Sequence, residues 1–156
     1  MIAVVGVGNE LMRDDGVGVH ALRRLSLTEL PANVELIDGG TSPEAAFLVR
    51  DHRRIIVIDA ARGGGVPGTV YRFAPEEIAR GSGCASCHDA GIVTELRSLA
   101  AEDPPEIVIV GVEPADVSWG LELSPEVEHA MDDVVAAVRH EIESGGEDAR
   151  HRAETG

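Results

Sequence analysis

The sequence lacks lysine, has few aromatic residues and has only two cysteines, Cys84 and Cys87. Two cysteines are too few for a disulfide scaffold, so we expect a reducing compartment. No apolar run approaches the roughly 20 residues that span a bilayer. The basic residues are all arginine, 13 against 28 acidic residues, and the formal net charge is −15. This charge argues against nucleic acid and anionic membranes as partners and favours cations or basic segments of another protein.

The chain length of 156 residues predicts one domain with one core. We expect this domain to cover residues 1–143, and the polar residues 144–156 to form a disordered tail. Met1 leads directly into a strand, which predicts no signal peptide and therefore a cytoplasmic protein. The small size and acidic surface favour a monomer.

Apolar runs rich in valine and isoleucine predict strands that are covered on both faces. The five predicted strands are Ile2–Val7, Val34–Ile37, Ile55–Ile58, Thr69–Phe73 and Ile107–Val112. Helices are expected between them, at 17–25, from Ser42-Pro43 onward, at about 89–101, and from Ser124-Pro125 to about Ile142. In two of these helices serine precedes proline, which predicts a serine N-cap followed by proline at the first helical position.

Strands that alternate with helices predict an α/β fold, a three-layer α/β/α sandwich around a twisted sheet. One connection departs from this pattern. Only nine residues separate Asp59 from Thr69, and a crossover between parallel neighbours needs about a dozen or more. We therefore expect the fourth strand to run antiparallel to the others, which makes the five-stranded sheet mixed.

Several aspartates follow predicted strands, where sites form in open α/β sheets. Asp14 and Asp15 come after strand one, Asp38 after strand two, and Asp59 ends strand three. If strands one and three are neighbours, Asp15 and Asp59 converge, whereas Asp38 lies one strand further out. Each aspartate also has a structural interpretation as a turn former or helix N-cap. A dinucleotide site is disfavoured because the third glycine of that fingerprint is replaced by Leu11.

The segment Cys84-Ala85-Ser86-Cys87-His88 matches the short haem-attachment pattern, and its cysteine pair also fits a redox motif or half of a zinc site. Neither a secretory signal nor a second cysteine pair accompanies it. We instead interpret His88 as the first residue of a helix, from which its side chain can project into the cleft. With Asp15 and Asp59 it would form a set of one histidine and two carboxylates, which suits a divalent transition metal.

These residues resemble the hydrogenase maturation endopeptidases over about residues 2–142, in four stretches whose order and spacing agree with the family. The stretches are Gly6-x-Gly8-Asn9-x-Leu11-x-x-Asp14-Asp15-Gly16-x-Gly18, Asp38-Gly39-Gly40-Thr41, Ile56-x-Ile58-Asp59-Ala60, and His88 with Gly111-Val112-x-Pro114 and Gly120-x-x-Leu123-Ser124-Pro125-x-Val127.

The resemblance implies a phosphorylase/hydrolase-like fold with strand order 2-1-3-5-4 and metal ligands at Asp15, Asp59 and His88. It implies that the chain removes a carboxy-terminal extension from the large-subunit precursor of a nickel–iron hydrogenase once nickel is installed. Nickel would come with the precursor, and the protease would need no metal at rest. Cleavage would proceed by water attack, either metal-assisted or of the aspartic type, with Asp14 or Asp38 as candidate general bases.

Two other classes of function stay open at this point. The first is a nickel-binding checkpoint or chaperone protein without proteolytic activity. The second is a haem or redox protein that uses Cys84, Cys87 and His88.

Overall fold

The computed structural model describes residues 1–79, 86–87, 90–99 and 103–154. They form three layers, with a mixed sheet between two layers of helices. The sheet runs in the order β2-β1-β3-β6-β4, and β5 pairs with β3 off this path. The strands are β1 (Ile2–Val7), β2 (Val34–Gly40), β3 (Arg54–Arg62), β4 (Val70–Phe73), β5 (Ser86–Cys87) and β6 (Glu106–Val112).

The five long strands have the expected order 2-1-3-5-4, since β6 is the fifth of them along the chain. β1, β2, β3 and β6 are parallel where they pair, whereas β4 runs antiparallel to β6. The argument from the short connection between β3 and β4 is therefore confirmed. The two-residue strand β5, which lies antiparallel to the end of β3, has no counterpart in the prediction.

The described residues form five α-helices, four of which cover the two faces of the sheet. Leu25 of the first helix and Met131 of the last belong to one buried cluster, whereas Val49 and Leu96 belong to the cluster on the other face. Both faces are therefore dry, which explains the near-continuous apolar strands. The helices are α1 (Val17–Ser26), α2 (Ala45–Val49), α3 (Pro75–Ala79), α4 (Ala90–Leu99) and α5 (Pro125–Glu154).

Of the two predicted serine N-caps, the structure confirms the one at Ser124 but not the one at Ser42. Ser124 caps α5, since its Oγ accepts the N–H of Val127 at 3.3 Å. α2 begins later than predicted, because Ser42 instead closes a turn in which its Oγ accepts the N–H of Glu44 at 3.3 Å. The short helix α3 has no counterpart in the prediction.

The structure extends α5 to Glu154, past the predicted end near Ile142 and into the predicted tail. A contact with β3 accounts for the first part of this extension. Arg54 donates to Ser144 Oγ at 3.3 Å, and its side chain lies directly against Gly145. The helix therefore has a partner beyond Ile142, which its polar sequence does not reveal.

Arg54 also belongs to a buried ion network at the amino ends of β3 and β6. Arg54 and Glu141 are only 5% and 2% exposed, and Arg54 Nη2 donates to Glu141 Oε2 at 2.6 Å. Arg54 also pairs with Glu106, and Arg72 pairs with Glu141. Burial raises the pKa of Glu141, but the contacts with Arg72 and Arg54 outweigh it and hold that pKa below its ordinary value. The network joins α5 to β3, β4 and β6.

None of the helices within the described residues is both long enough and apolar enough to cross a membrane.

Candidate active site

A tight turn after β1 carries the paired aspartates. Gly8 has a φ of +111°, and a Cβ there would overlap the carbonyl oxygen of Asp15. A Cβ on Gly18, near the start of α1, would lie 2.5 Å from the carbonyl oxygen of Ile58 in β3. The glycine spacing therefore serves close packing. It lets a short 3-10 helix over Arg13–Gly16 fold back against β3.

The two carboxylate oxygens of Asp15 have different surroundings. Its Oδ2 accepts the N–H of Asn9 at 2.9 Å. Its Oδ1 is buried and has no hydrogen-bond partner among the described residues. An ionised oxygen in that position is costly unless something compensates it. A cation bound at Oδ1 would do so, and the chemistry of this oxygen therefore fits a metal ligand.

Asp59 lies inside β3, whereas the sequence placed it at the end of that strand. The strand continues to Arg62 because β6 and β5 pair with this part of it: Asp59 stands opposite Gly111, and Ala61 stands opposite Cys87. Asp59 is only 1% exposed. Alternation along the strand places it with Val57 on the face that α2 and α4 cover. The turn that bears Asp15 packs against this same strand.

His88, the third predicted ligand, lies outside the described residues, as does Cys84. The structure describes the two residues before His88, and their pairing with Ala61 and Arg62 brings that part of the chain to the strand of Asp59. Within the described ranges, no group of three or more histidine, cysteine, aspartate or glutamate residues is arranged to hold a metal ion. The predicted ligand set therefore stays a prediction.

Asp14 anchors the backbone of a distant loop. It is 1% exposed, and its carboxylate accepts three backbone N–H bonds. Oδ2 accepts from Ala115 at 2.8 Å and Asp116 at 2.9 Å, and Oδ1 accepts from Ser124 at 2.7 Å. The side chain thus fixes the loop between β6 and α5. This geometry disfavours Asp14 as a general base, because both of its oxygens are engaged and buried.

Asp14→Asn is expected to destabilise the fold without disabling the reaction. An amide NH₂ would face one of the three backbone donors, and the charge that strengthens these bonds would be lost, at a cost of about 2–3 kcal/mol. Urea unfolding measures this loss. Processing per folded molecule, measured well below the melting temperature, should stay within about tenfold of wild type, whereas removal of a general base costs about 10²–10⁴-fold.

Asp38 lies on the other face of the sheet from Asp59. It is exposed, and its Oδ1 accepts the N–H of Gly40 at 3.0 Å. Gly6 stands between Asp38 and Ile58 in the register, so about two strand spacings, or roughly 10 Å, separate β2 from β3 here. Alternation along β2 places Asp38 with Leu36 on the α1–α5 face, opposite to Asp59. This geometry disfavours Asp38 as a base that acts beside Asp59.

The sequence analysis missed Glu113, a buried carboxylate at the same sheet edge. Glu113 is 8% exposed, and its Oε2 accepts from the Gly63 N–H at 2.7 Å and from the Tyr71 hydroxyl at 3.2 Å. Burial, followed by the charge of Glu113, raises the pKa of Tyr71. Glu113 thus fixes the glycine-rich connection between β3 and β4. Glu113 directly follows a predicted parallel strand. The expectation that site residues lie where parallel strands end, which selected Asp15 and Asp59, therefore selects Glu113 as well.

Comparison with known proteins decides the family. The family model described as "HycI: Hydrogenase maturation protease" matches residues 19–141. The chain belongs to the hydrogenase maturation protease family. It is 35% identical to the hydrogenase 2 maturation protease of Escherichia coli K12, over 94% of this chain and 93% of that protein.

Solved structures of this protease family share its architecture. The hydrogenase maturating endopeptidase HybD from E. coli superposes with a TM-score of 0.81 at 29% identity, covering 93% of each chain. The [NiFe] hydrogenase maturation protease HybD from Thermococcus kodakarensis gives a TM-score of 0.73 at 30% identity, covering 89% of this chain and 97% of that one. The resemblance read from the four sequence stretches is therefore confirmed.

Proposed function

We propose that this member of the family is the endopeptidase that removes the carboxy-terminal extension of a nickel–iron hydrogenase large-subunit precursor after nickel insertion. Family membership supports hydrolysis of a peptide bond in this precursor. The observation that carries the assignment of the site is the buried Oδ1 of Asp15, which has no hydrogen-bond partner among the described residues and lies on a turn packed against the strand of Asp59. The protein acts in the cytoplasm as a monomer.

Nickel enters this proposal as part of the substrate. Asp15, Asp59 and His88 would hold the nickel that the precursor carries, and a mixed set of nitrogen and oxygen ligands suits this metal. An ion that arrives with the substrate explains how the protease distinguishes loaded from unloaded precursor. At rest, the protease needs no metal of its own.

The geometry favours a metal-assisted reaction over an aspartic-type one. Water adds to the scissile carbonyl carbon, the C–N bond breaks, and the leaving amine takes a proton. An aspartic mechanism needs a second carboxylate beside Asp59 that is free to act as the base. Asp14 is engaged by hydrogen bonds, Asp38 lies on the opposite face, and the proposal assigns the free oxygen of Asp15 to nickel. The chemistry that nickel supplies at such a site is polarisation of the carbonyl or activation of a bound water.

Cleavage of purified precursor tests the proposal. We expect nickel-loaded large-subunit precursor to lose one short carboxy-terminal peptide, read by intact mass, and nickel-free precursor to stay uncut. Asp15→Asn should slow the reaction by at least about a hundredfold. The matched control is Asp51→Asn, since Asp51 is an exposed residue outside this sheet edge. Tight nickel binding without cleavage of any precursor would instead support the non-proteolytic checkpoint protein.

A further inference from the structure

Three large apolar side chains stand exposed next to the turn that bears Asp15. Leu11, Trp119 and Leu121 are 49%, 73% and 62% exposed. A parallel bridge between Met12 and Gly120 places Leu11 opposite Trp119. We refer to Leu11, Trp119 and Leu121 as the apolar patch. Solvent-exposed leucine and tryptophan side chains grouped in this way mark a surface for another molecule.

The backbone beneath the apolar patch is fixed. The Arg13 N–H donates to the Gly120 carbonyl and the Gly120 N–H donates to the Leu11 carbonyl, both at 2.9 Å. The carbonyl of Leu121 lies 3.2 Å from Nε2 of His20. The three hydrogen bonds of Asp14 hold the loop before and after the patch. A surface presented this rigidly loses little entropy when it binds.

The surroundings of the apolar patch indicate the chemistry of its partner. Glu122 is exposed beside it. Asp116 and Glu10 also lie next to it, where they pair with Arg13 and Arg23 of the same chain. The chain as a whole carries a formal charge of −15. Such a surface fits an apolar segment flanked by basic residues, and acidic surroundings would guide that segment into place. Tryptophan at the centre of an interface commonly contributes a large share of the binding energy.

We propose that the apolar patch docks a segment of the hydrogenase large-subunit precursor that combines apolar and basic side chains. This inference rests on the proposed function and deepens it, since it names the surface that brings the substrate to the Asp15–Asp59 edge. Asp14 couples the two regions, because it lies beside Asp15 in the 3-10 helix and holds the loop of the patch through Ala115 and Ser124.

Steady-state cleavage of nickel-loaded precursor tests the docking surface. Trp119→Ala and Leu121→Ser should each raise KM by about tenfold or more, and kcat should change much less than KM. Both side chains are exposed, so the substitutions leave the core intact. The matched control is Leu27→Ser, because Leu27 is 87% exposed at the other end of α1. An unchanged KM in both patch variants would overturn the proposal.

A binding measurement separates this inference from the proposed function. Trp119 is the only tryptophan of the chain, so 5-fluorotryptophan labelling gives one ¹⁹F resonance at the apolar patch. Titration of labelled Asp59→Asn protein with nickel-loaded precursor should shift this resonance. The additional substitution Leu121→Ser should raise the dissociation constant from this titration about tenfold. Binding without a shift overturns the docking surface whatever the activity. Failure of wild type to cleave, with the shift intact, overturns the proposed function alone.

Discussion

Asp59→Asn is expected to abolish processing of the nickel-loaded precursor while the fold survives. The substitution keeps the shape of the side chain and removes its charge at a position that is 1% exposed. The site would then lose one of its two described carboxylates, and we expect the rate of cleavage to fall by at least about a hundredfold. Intact mass spectrometry of the precursor over time measures the rate.

The control for Asp59→Asn is the same change at an exposed aspartate. Asp133 lies on the solvent side of α5, away from the sheet edge, and Asp133→Asn should process precursor at the wild-type rate. Circular dichroism and thermal melting of both variants establish that they fold. Full processing by folded Asp59→Asn would remove this carboxylate from the essential set and would contradict the proposed site.

The long strands and the antiparallel direction of β4 could be predicted, because both depend on local chain length and composition. The valine- and isoleucine-rich runs located the long strands, and the short connection after Asp59 required an antiparallel β4. The strand order came from the family resemblance and not from these runs. β5 could not be predicted, since two residues carry no periodicity and Ser86–Cys87 become a strand only by pairing with β3.

The sequence assigned Asp15 to the metal site and Asp14 to a possible role as base, but it could not show what either side chain contacts, because both are aspartates in the same turn. The 3-10 helix directs them to different partners. Asp14 binds backbone donors of Ala115, Asp116 and Ser124, more than a hundred positions away. Asp15 binds only the N–H of Asn9 and keeps a buried oxygen without a partner among the described residues. The distinction is a property of the packed loop, which no local pattern encodes.

The position of Asp59 in its strand also depends on contacts that are distant in sequence. Aspartate is rare in strand interiors, so its position after Ile58 suggested a strand end. Pairing with β6 on one part and with β5 on the next extends the strand to Arg62. The carboxylate is thereby held in a rigid sheet and not on a loop, which suits a group that must keep a fixed position.

Glu141→Leu is expected to destabilise the fold by about 3–5 kcal/mol, because it leaves Arg54 buried without its buried partner. The exposed Glu106 would be the remaining carboxylate of Arg54. This is a large share of the roughly 5–15 kcal/mol that stabilises a domain. Urea unfolding monitored by circular dichroism measures the loss. The ion network lies at the amino ends of β3 and β6, so precursor processing by the folded fraction should continue.

Glu128→Leu is the matched control, since Glu128 pairs with Arg24 on the surface of α1 and α5. Exposed pairs contribute about 0–1 kcal/mol, so this variant should stay near wild type. The double variant Arg54→Met/Glu141→Leu removes both buried charges and should recover much of the stability lost by Glu141→Leu alone. A Glu141→Leu variant as stable as wild type would show that the pair contributes nothing.

Acid provides a second signature of the same network. The pKa of Glu141 in the folded state lies below its ordinary value of 4.5. Its contribution to stability is therefore complete above pH 4.5 and is lost as the pH falls through the lower, folded pKa. The difference in unfolding free energy between wild type and Glu141→Leu should be constant from pH 7 to about pH 5 and shrink below that. A difference that stays constant down to pH 3 would mean that packing, and not the charge of Glu141, stabilises this corner of the fold.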